Sequence, residues 1–223
     1  MSVWIKICGN TSLVDARLAV EAGADALGFV LAPSPRQMTV AEVASICSHL
    51  PENIEKIGVF VDTGLEQIYA AVRACGLTGV QLHFDAAADF PARLHERLGP
   101  HVRILRVVHF DVAAGELVSQ KVAKLAKDAH VHGVLVDSRT AAAVGGTGVA
   151  FDWAEARKTV FGDVGGPKLI AAGGLSPENV AEAIAALEPW GVDVVSGVED
   201  APGRKDAHKV RAFVARVRAV PVG

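Results

Sequence analysis

Short apolar runs recur along the whole chain: VWIKIC (3–8), ALGFVL (26–31), KIGVFV (56–61), GVQLH (79–83), VRILRVV (102–108), GVLVD (133–137), KLIAA (168–172) and VDVVS (192–196). Each is continuously or nearly continuously apolar, as expected of parallel strands buried on both faces. Between them the period changes from two to that of a helix. Val40, Val43, Ala44 and Cys47 stand at i, i+3, i+4 and i+7. Leu65, Ile68, Tyr69 and Val72 repeat the pattern, as do Val180, Ala183, Ile184 and Leu187, and then Val210, Phe213, Val214 and Val217. Each set lays one apolar stripe against a sheet. Phe90, Leu94 and Leu98 support a further helix after the fourth run.

Local signals set the helix ends. Thr39-x-x-Glu42 and Thr63-x-x-Glu66 read as capping boxes, and Ser176-Pro177 as an N-cap followed by a first-turn proline. Gly23 and Gly76 follow helices where a left-handed residue closes the last turn. Eight β-α units without a linker predict an α/β fold, a single closed (β/α)8 TIM barrel over residues 1–223. An open doubly wound sheet is the alternative, but no GxGxxG follows the first run to support a dinucleotide site.

Composition narrows the class. Hydrophobic residues make up 51% of the 223, enough for a sizeable core. The net charge of −3 and the lack of a long basic run speak against nucleic acid as a partner. No apolar stretch reaches the roughly 20 residues that span a bilayer, so no membrane is expected. The N-terminus MSVWIKICGN lacks a signal-peptide layout. Cys8, Cys47 and Cys75 form no metal-spaced cluster, and their odd number suits a reducing, cytoplasmic compartment. A monomer and a homodimer both fit.

In a barrel, chemistry sits at the C-terminal ends of the strands. Those ends carry Cys8, the loop with Arg36, Asp62, His83, His109, Asp137, Gly173-Gly174 and Ser196-Gly197, with Asn10 and Thr147 just beyond. Cys8 reads as a general base or as an inert buried thiol. Asp137 reads as a general acid, which requires a raised pKa, or as a capping or salt-bridged carboxylate. Arg36 is either a carboxylate clamp or a solvated loop residue. The glycines after strands 7 and 8, with Ser196, can aim backbone N–H groups at a phosphate, and GGTG (145–148), with Gly146 and Thr147, is a candidate lid. Cys47 and Cys75 fall on helix stripes and read as core. Trp4, Trp153 and Trp190 read as packing residues. No histidine pair has metal-ligand spacing, so no metal is expected.

KICGNT (6–11), GFV…SPR (28–36), GVFV (58–61), VQLH (80–83), VDS (136–138), GGTGVAFDW (145–153), AGGLSPENV (172–180) and SGVEDAPGRKD (196–206) stand in an order and spacing that resembles the phosphoribosylanthranilate isomerase family of tryptophan biosynthesis, essentially end to end. The resemblance implies an Amadori rearrangement of a small-molecule phosphosugar, N-(5′-phosphoribosyl)anthranilate, without a cofactor. It implies Asp137 as the acid on the ribose ring oxygen and Cys8 as the base that removes the C2′ proton. It gives Arg36 to the anthranilate carboxylate, and Gly146, Thr147, Gly173, Gly174, Ser196 and Gly197 to the rest of the substrate site, chiefly the phosphate. Two positions depart from the family pattern: Phe84 where glycine is usual, and Val195 where serine is usual. Strand alternation predicts that Val195 faces away from the phosphate if Ser196 faces it. The rival readings are the histidine-pathway isomerase or a dual-substrate barrel, both expected to carry Asp where Cys8 stands, and a barrel that binds phosphate without catalysis.

Overall fold

The structure, a computed structural model, describes residues 2–110, 115–137, 156–162 and 168–221. Gly146, Thr147, Trp153 and the lid expectation lie outside these residues. Eight strands occur in chain order: β1 (Trp4–Ile7), β2 (Ala26–Val30), β3 (Glu55–Phe60), β4 (Gly79–Leu82), β5 (Arg103–His109), β6 (Gly133–Asp137), β7 (Leu169–Ala172) and β8 (Gly191–Val194). All pair in parallel, each with its sequence neighbours, and β8 closes on β1 with Trp4 opposite Gly191 and Lys6 opposite Asp193. The (β/α)8 barrel, rather than the open sheet, is therefore the architecture of the chain.

The helices are α1 (Leu13–Ala22), α2 (Val40–Cys47), α3 (Leu65–Cys75), α4 (Phe90–Leu98), α5 (Gly115–Ala126), α6 (Val180–Leu187) and α7 (Ala207–Ala219), with a π-helical turn at Arg157–Phe161. Beyond β8 a 3-10 turn (Ser196–Val198) leads into a small antiparallel pair, β9 (Glu199–Ala201) and β10 (Arg204–Lys205).

Alternation along each strand divides the core in two. Outward residues such as Ile5, Ile7, Leu27 and Phe29 pack against helix stripes that include Val43, Ile68, Val72, Val180 and Phe213. Inward residues Trp4, Ala26, Ile57, Leu105, Leu135 and Ile170 fill the barrel floor, where Trp4 stacks on Trp190 at 5.1 Å between ring centroids. Trp4 and Trp190 are packing residues, and Cys47 and Cys75 are core. Burial pushes the Cys47 thiol up to about 12, with Cys75 adding to the shift.

The Thr39–Glu42 capping box forms, and Gly23 and Gly76 close their helices in the left-handed conformation. One boundary expectation is corrected. Thr63 does not cap α3: its hydroxyl turns back to the Val61 carbonyl, and the Gly64 amide bonds Gln67 instead, one residue later. Ser176 makes the capping contacts expected of it: its Oγ accepts from the Glu178 amide, its carbonyl accepts from the Val180 amide, and the Asn179 side chain accepts from the Ser176 amide in return, ahead of the regular helix at Val180.

Candidate active site

Inward alternation along β1 runs Trp4, Lys6, Cys8, so a lysine sits directly beneath the cysteine. Lys6 is 0% exposed and is among the largest fully buried side chains of the described residues. Its Nζ donates to Asp193 Oδ1 of β8 at 2.8 Å, and Cys8 is near enough for its charge to act on the ammonium. Cys8, 3% exposed, lies over Gly28 of β2; a Cβ on Gly28 would stand 2.4 Å from Cys8 Sγ. Only glycine leaves room for the thiol there. Burial pushes the Cys8 thiol up, Lys6 pulls it down, and Asp193 pushes it up again. Lys6 is held above the ordinary lysine value: burial acts against its charge, but the Asp193 carboxylate and Cys8 outweigh it.

A second ion cluster closes the roof of β1. Glu199 accepts from Arg36 Nε at 2.8 Å and from Arg36 Nη2 at 2.5 Å. The same carboxylate accepts from Lys205 Nζ at 3.0 Å, and Lys205 donates to the Cys8 carbonyl at 2.6 Å. Burial lowers the Lys205 pKa, with Glu199 acting against the shift. Burial also acts to raise the Glu199 pKa, but the Arg36 hydrogen bonds and Lys205 together hold it below the usual carboxylate value. Arg36 arches over Gly9, whose φ is +73°. Its Nε–Nη2 edge is engaged, and its Nη1 side has no partner among the described residues. Asn10 is wholly buried, and its amide nitrogen ties the Ile7 and Gly28 carbonyls together, while its Oδ1 is left without a partner.

Asp137 ends β6 and is 4% exposed. With Gly173, Gly174, Asp193 and Ser196 it lines a cavity of about 20 Å³. Gly173 and Gly174 take φ values of +85° and +63°, turning the chain sharply after β7. Gly197 is needed for a close approach: a Cβ there would lie 1.9 Å from the Leu175 carbonyl oxygen. Val195 and Ser196 both line this cavity, just beyond the end of β8 at Val194, and Val195 Cγ1 lies beside Gly9.

The rim at β4 and β5 is different. His83 and His109 lie 5.1 Å apart, ring to ring, at a cavity of about 680 Å³ that reaches under α5 and is lined also by Phe84 and Arg106. None of Cys8, Arg36, Asp137, Gly173 or Ser196 lines it. Asp137, Gly173, Gly174 and Ser196 line the smaller cavity instead. Phe84 has no positive φ and packs edge-on against Phe90, so its backbone does not require glycine. Asp62, by contrast, is held at φ +44°. Sequence reasoning named no role for Lys6, Asp193, Glu199 or Lys205. Lysine and aspartate inside otherwise apolar runs were the available signal.

The profile of the family described as N-(5′phosphoribosyl)anthranilate (PRA) isomerase matches residues 5–216. The N-(5′-phosphoribosyl)anthranilate isomerase of Trichlorobacter lovleyi is 42% identical over 211 residues, 94% of this chain and 95% of that protein. The phosphoribosyl anthranilate isomerase of Thermotoga maritima superposes with a TM-score of 0.82 at 33% identity, covering 96% of this chain and 98% of that one. A structure of phosphoribosyl anthranilate isomerase in complex with reduced 1-(o-carboxyphenylamino)-1-deoxyribulose 5-phosphate gives 0.80 at 31% identity, with 96% and 98% covered. By sequence and by fold, the chain belongs to the N-(5′-phosphoribosyl)anthranilate isomerase family.

Proposed function

We propose that Cys8 and Asp137 are the base and the acid with which this chain isomerises N-(5′-phosphoribosyl)anthranilate to 1-(2-carboxyphenylamino)-1-deoxyribulose 5-phosphate in tryptophan biosynthesis. Asp137 protonates the ribose ring oxygen, and the C1′–O bond breaks as the anilino nitrogen forms a protonated Schiff base. Cys8 removes the C2′ proton, and the electron pair moves into the C1′–C2′ bond while the iminium is neutralised. The enolamine then tautomerises to the ketone. The protonated Schiff base is itself the electron sink, so no cofactor enters any step.

The observation that carries this reading is the shared floor beneath the two groups. Asp193 lines the cavity that holds Asp137, and it bonds the lysine that faces Cys8. Gly173, Gly174, Ser196 and Gly197 would take the phosphate end, with Gly146 and Thr147 contributing from loop 6. Arg36 would take the anthranilate carboxylate on its Nη1 side, since Glu199 holds the other edge. Anchoring both ends holds the sugar carbons between acid and base. The setting is the cytoplasm, with the chain a monomer or a homodimer. Among the described residues no helix is long and apolar enough to cross a membrane.

The test follows loss of phosphoribosylanthranilate fluorescence with the purified chain, with the histidine-pathway aminoaldose beside it. Turnover of the first substrate with little or none of the second is expected. Turnover of the second alone would overturn the assignment.

A further inference from the structure

We propose that Lys6 is a positioning residue for catalysis: its buried ammonium is the built-in counter-ion of the Cys8 thiolate, and Asp193 sets how much of that charge the sulfur receives. This deepens the reading of Cys8 as base and rests on it.

A charged pair is out of place at this depth. Lys6 and Asp193 sit directly above the apolar floor of Trp4, Ala26, Ile57, Leu105 and Ile170. Taking an ammonium and a carboxylate out of water costs several kcal/mol per ion, and an apolar pair of similar volume is often as stable. Stability alone therefore gives little reason for Lys6. A thiol that must lose its proton while buried gives a direct one, because burial disfavours the thiolate unless a cation is fixed beside it.

The surroundings of Cys8 can be taken element by element. β1 contributes Lys6 and β8 contributes Asp193. β10 contributes Lys205, bonded to the Cys8 carbonyl rather than to its sulfur. The segment after β2 contributes Arg36, which Glu199 of β9 already engages. β2 itself presents bare backbone at Gly28. Among the described residues three cations thus face two carboxylates, one positive charge in excess before substrate arrives. Lys6, two residues below Cys8 on the inward face of β1 and wholly buried, is the cation whose charge acts most strongly on the thiol. Asp193 draws on the same ammonium at 2.8 Å and works against the thiolate.

Opposite signs follow for two substitutions that break one and the same ion pair. Lys6→Met removes the cation, so the thiol should titrate at higher pH. Asp193→Asn removes the competing carboxylate, so it should titrate at lower pH. A purely structural pair predicts the same outcome for both: lost stability or turnover, with no movement of the thiol.

The experiment measures the acidic limb of the kcat/KM–pH profile, which reports the free enzyme's base, in wild type, Lys6→Met and Asp193→Asn. Thiolate absorbance near 240 nm is followed in parallel in a Cys47→Ala/Cys75→Ala background, without substrate. Lys6→Met should move both midpoints up by a unit or more, which is about a tenfold loss of kcat/KM at fixed pH on that limb. Asp193→Asn should move both down. If Lys6→Met does not fold, the Lys6→Met/Asp193→Asn double variant, which leaves no unpaired buried charge, should still titrate higher than wild type, because the cation outweighs the carboxylate at the sulfur. Unmoved midpoints, or an upward shift in Asp193→Asn, would overturn the proposal. Cys8→Ala is run beside them: full turnover there overturns the base assignment, while the absorbance titration still judges Lys6.

Discussion

The strand ends at β1 and β8 and those at β4 and β5 belong to one rim, yet they are built on opposite principles. On the β1–β8 side every buried charge has a partner. Lys6 meets Asp193, and Glu199 gathers Arg36 and Lys205. On the β4–β5 side Arg106 is only 6% exposed and its Nε has no partner among the described residues, with Asp85 and Asp128 near enough to act only through their charge. The first side is compact and fixed; the second opens into a cavity of about 680 Å³. Size alone would send a search for the active site to the second side. Preorganised charge, which costs no rearrangement during reaction, marks the side where chemistry is expected.

The comparison breaks most sharply if the paired side is not catalytic. Cys8→Ala should lower kcat by at least about 10²-fold while substrate still binds, as loss of a general base does. Near-normal kcat in a steady-state assay would end its role. Asp137→Asn should cost a similar factor, about 10²-fold, because the amide has no proton to give to the ring oxygen. Substitution of His109, on the open side, by Gln is expected to change kcat far less than either, and an equal loss there would erase the distinction between the two sides.

The unequal legibility of the two sides has a physical cause. Strand and helix periods are local, so the eight apolar runs and the helix stripes of α2, α3, α6 and α7 were readable directly. Cys8, Asp137 and Arg36 were readable because a barrel places strand ends on one rim. Lys6 was visible as a lysine inside an apolar run, but its partner lies 187 residues away across the β8–β1 seam that closes the barrel. Glu199 and Lys205 stand beyond the last strand and return over Cys8 through β9 and β10, a hairpin no period announces. The boundary error has the same character: at α3 the Gly64 amide bonds Gln67, one residue after the box the sequence suggested.

Arg36 sharpens the comparison at intermediate effect. Arg36→Met should raise KM by about 10-fold or more with a smaller change in kcat, since a charge-assisted contact to the substrate carboxylate is lost. An unaltered KM would count against the clamp. The same cluster has a pH signature. The folded-state pKa of Glu199 is depressed, so its contribution to stability is present above the ordinary carboxylate value and is lost as pH falls through the lowered one. Thermal unfolding of wild type should therefore fall off through that acidic window. In Glu199→Gln this contribution should be absent, and an identical acid profile in both proteins would remove Glu199 from the account.

The smallest expected effect tests the open side. Arg106 is buried, and desolvation lowers its pKa without a hydrogen-bonded carboxylate to offset the cost. Methionine matches much of the arginine stem and leaves no charge behind. Replacing a poorly paired buried charge by an apolar side chain is often neutral or stabilising, so Arg106→Met should leave Tm unchanged or raise it by about 2–4 °C, the equivalent of ~1 kcal/mol for a chain of this size. Activity should stay within about twofold, since Arg106 points away from the barrel interior, between strand and helix, and touches none of the proposed acid, base or anchors. A clear fall in Tm by calorimetry would mean that the guanidinium is as well compensated as Lys6, and that the two sides of the rim share one design after all.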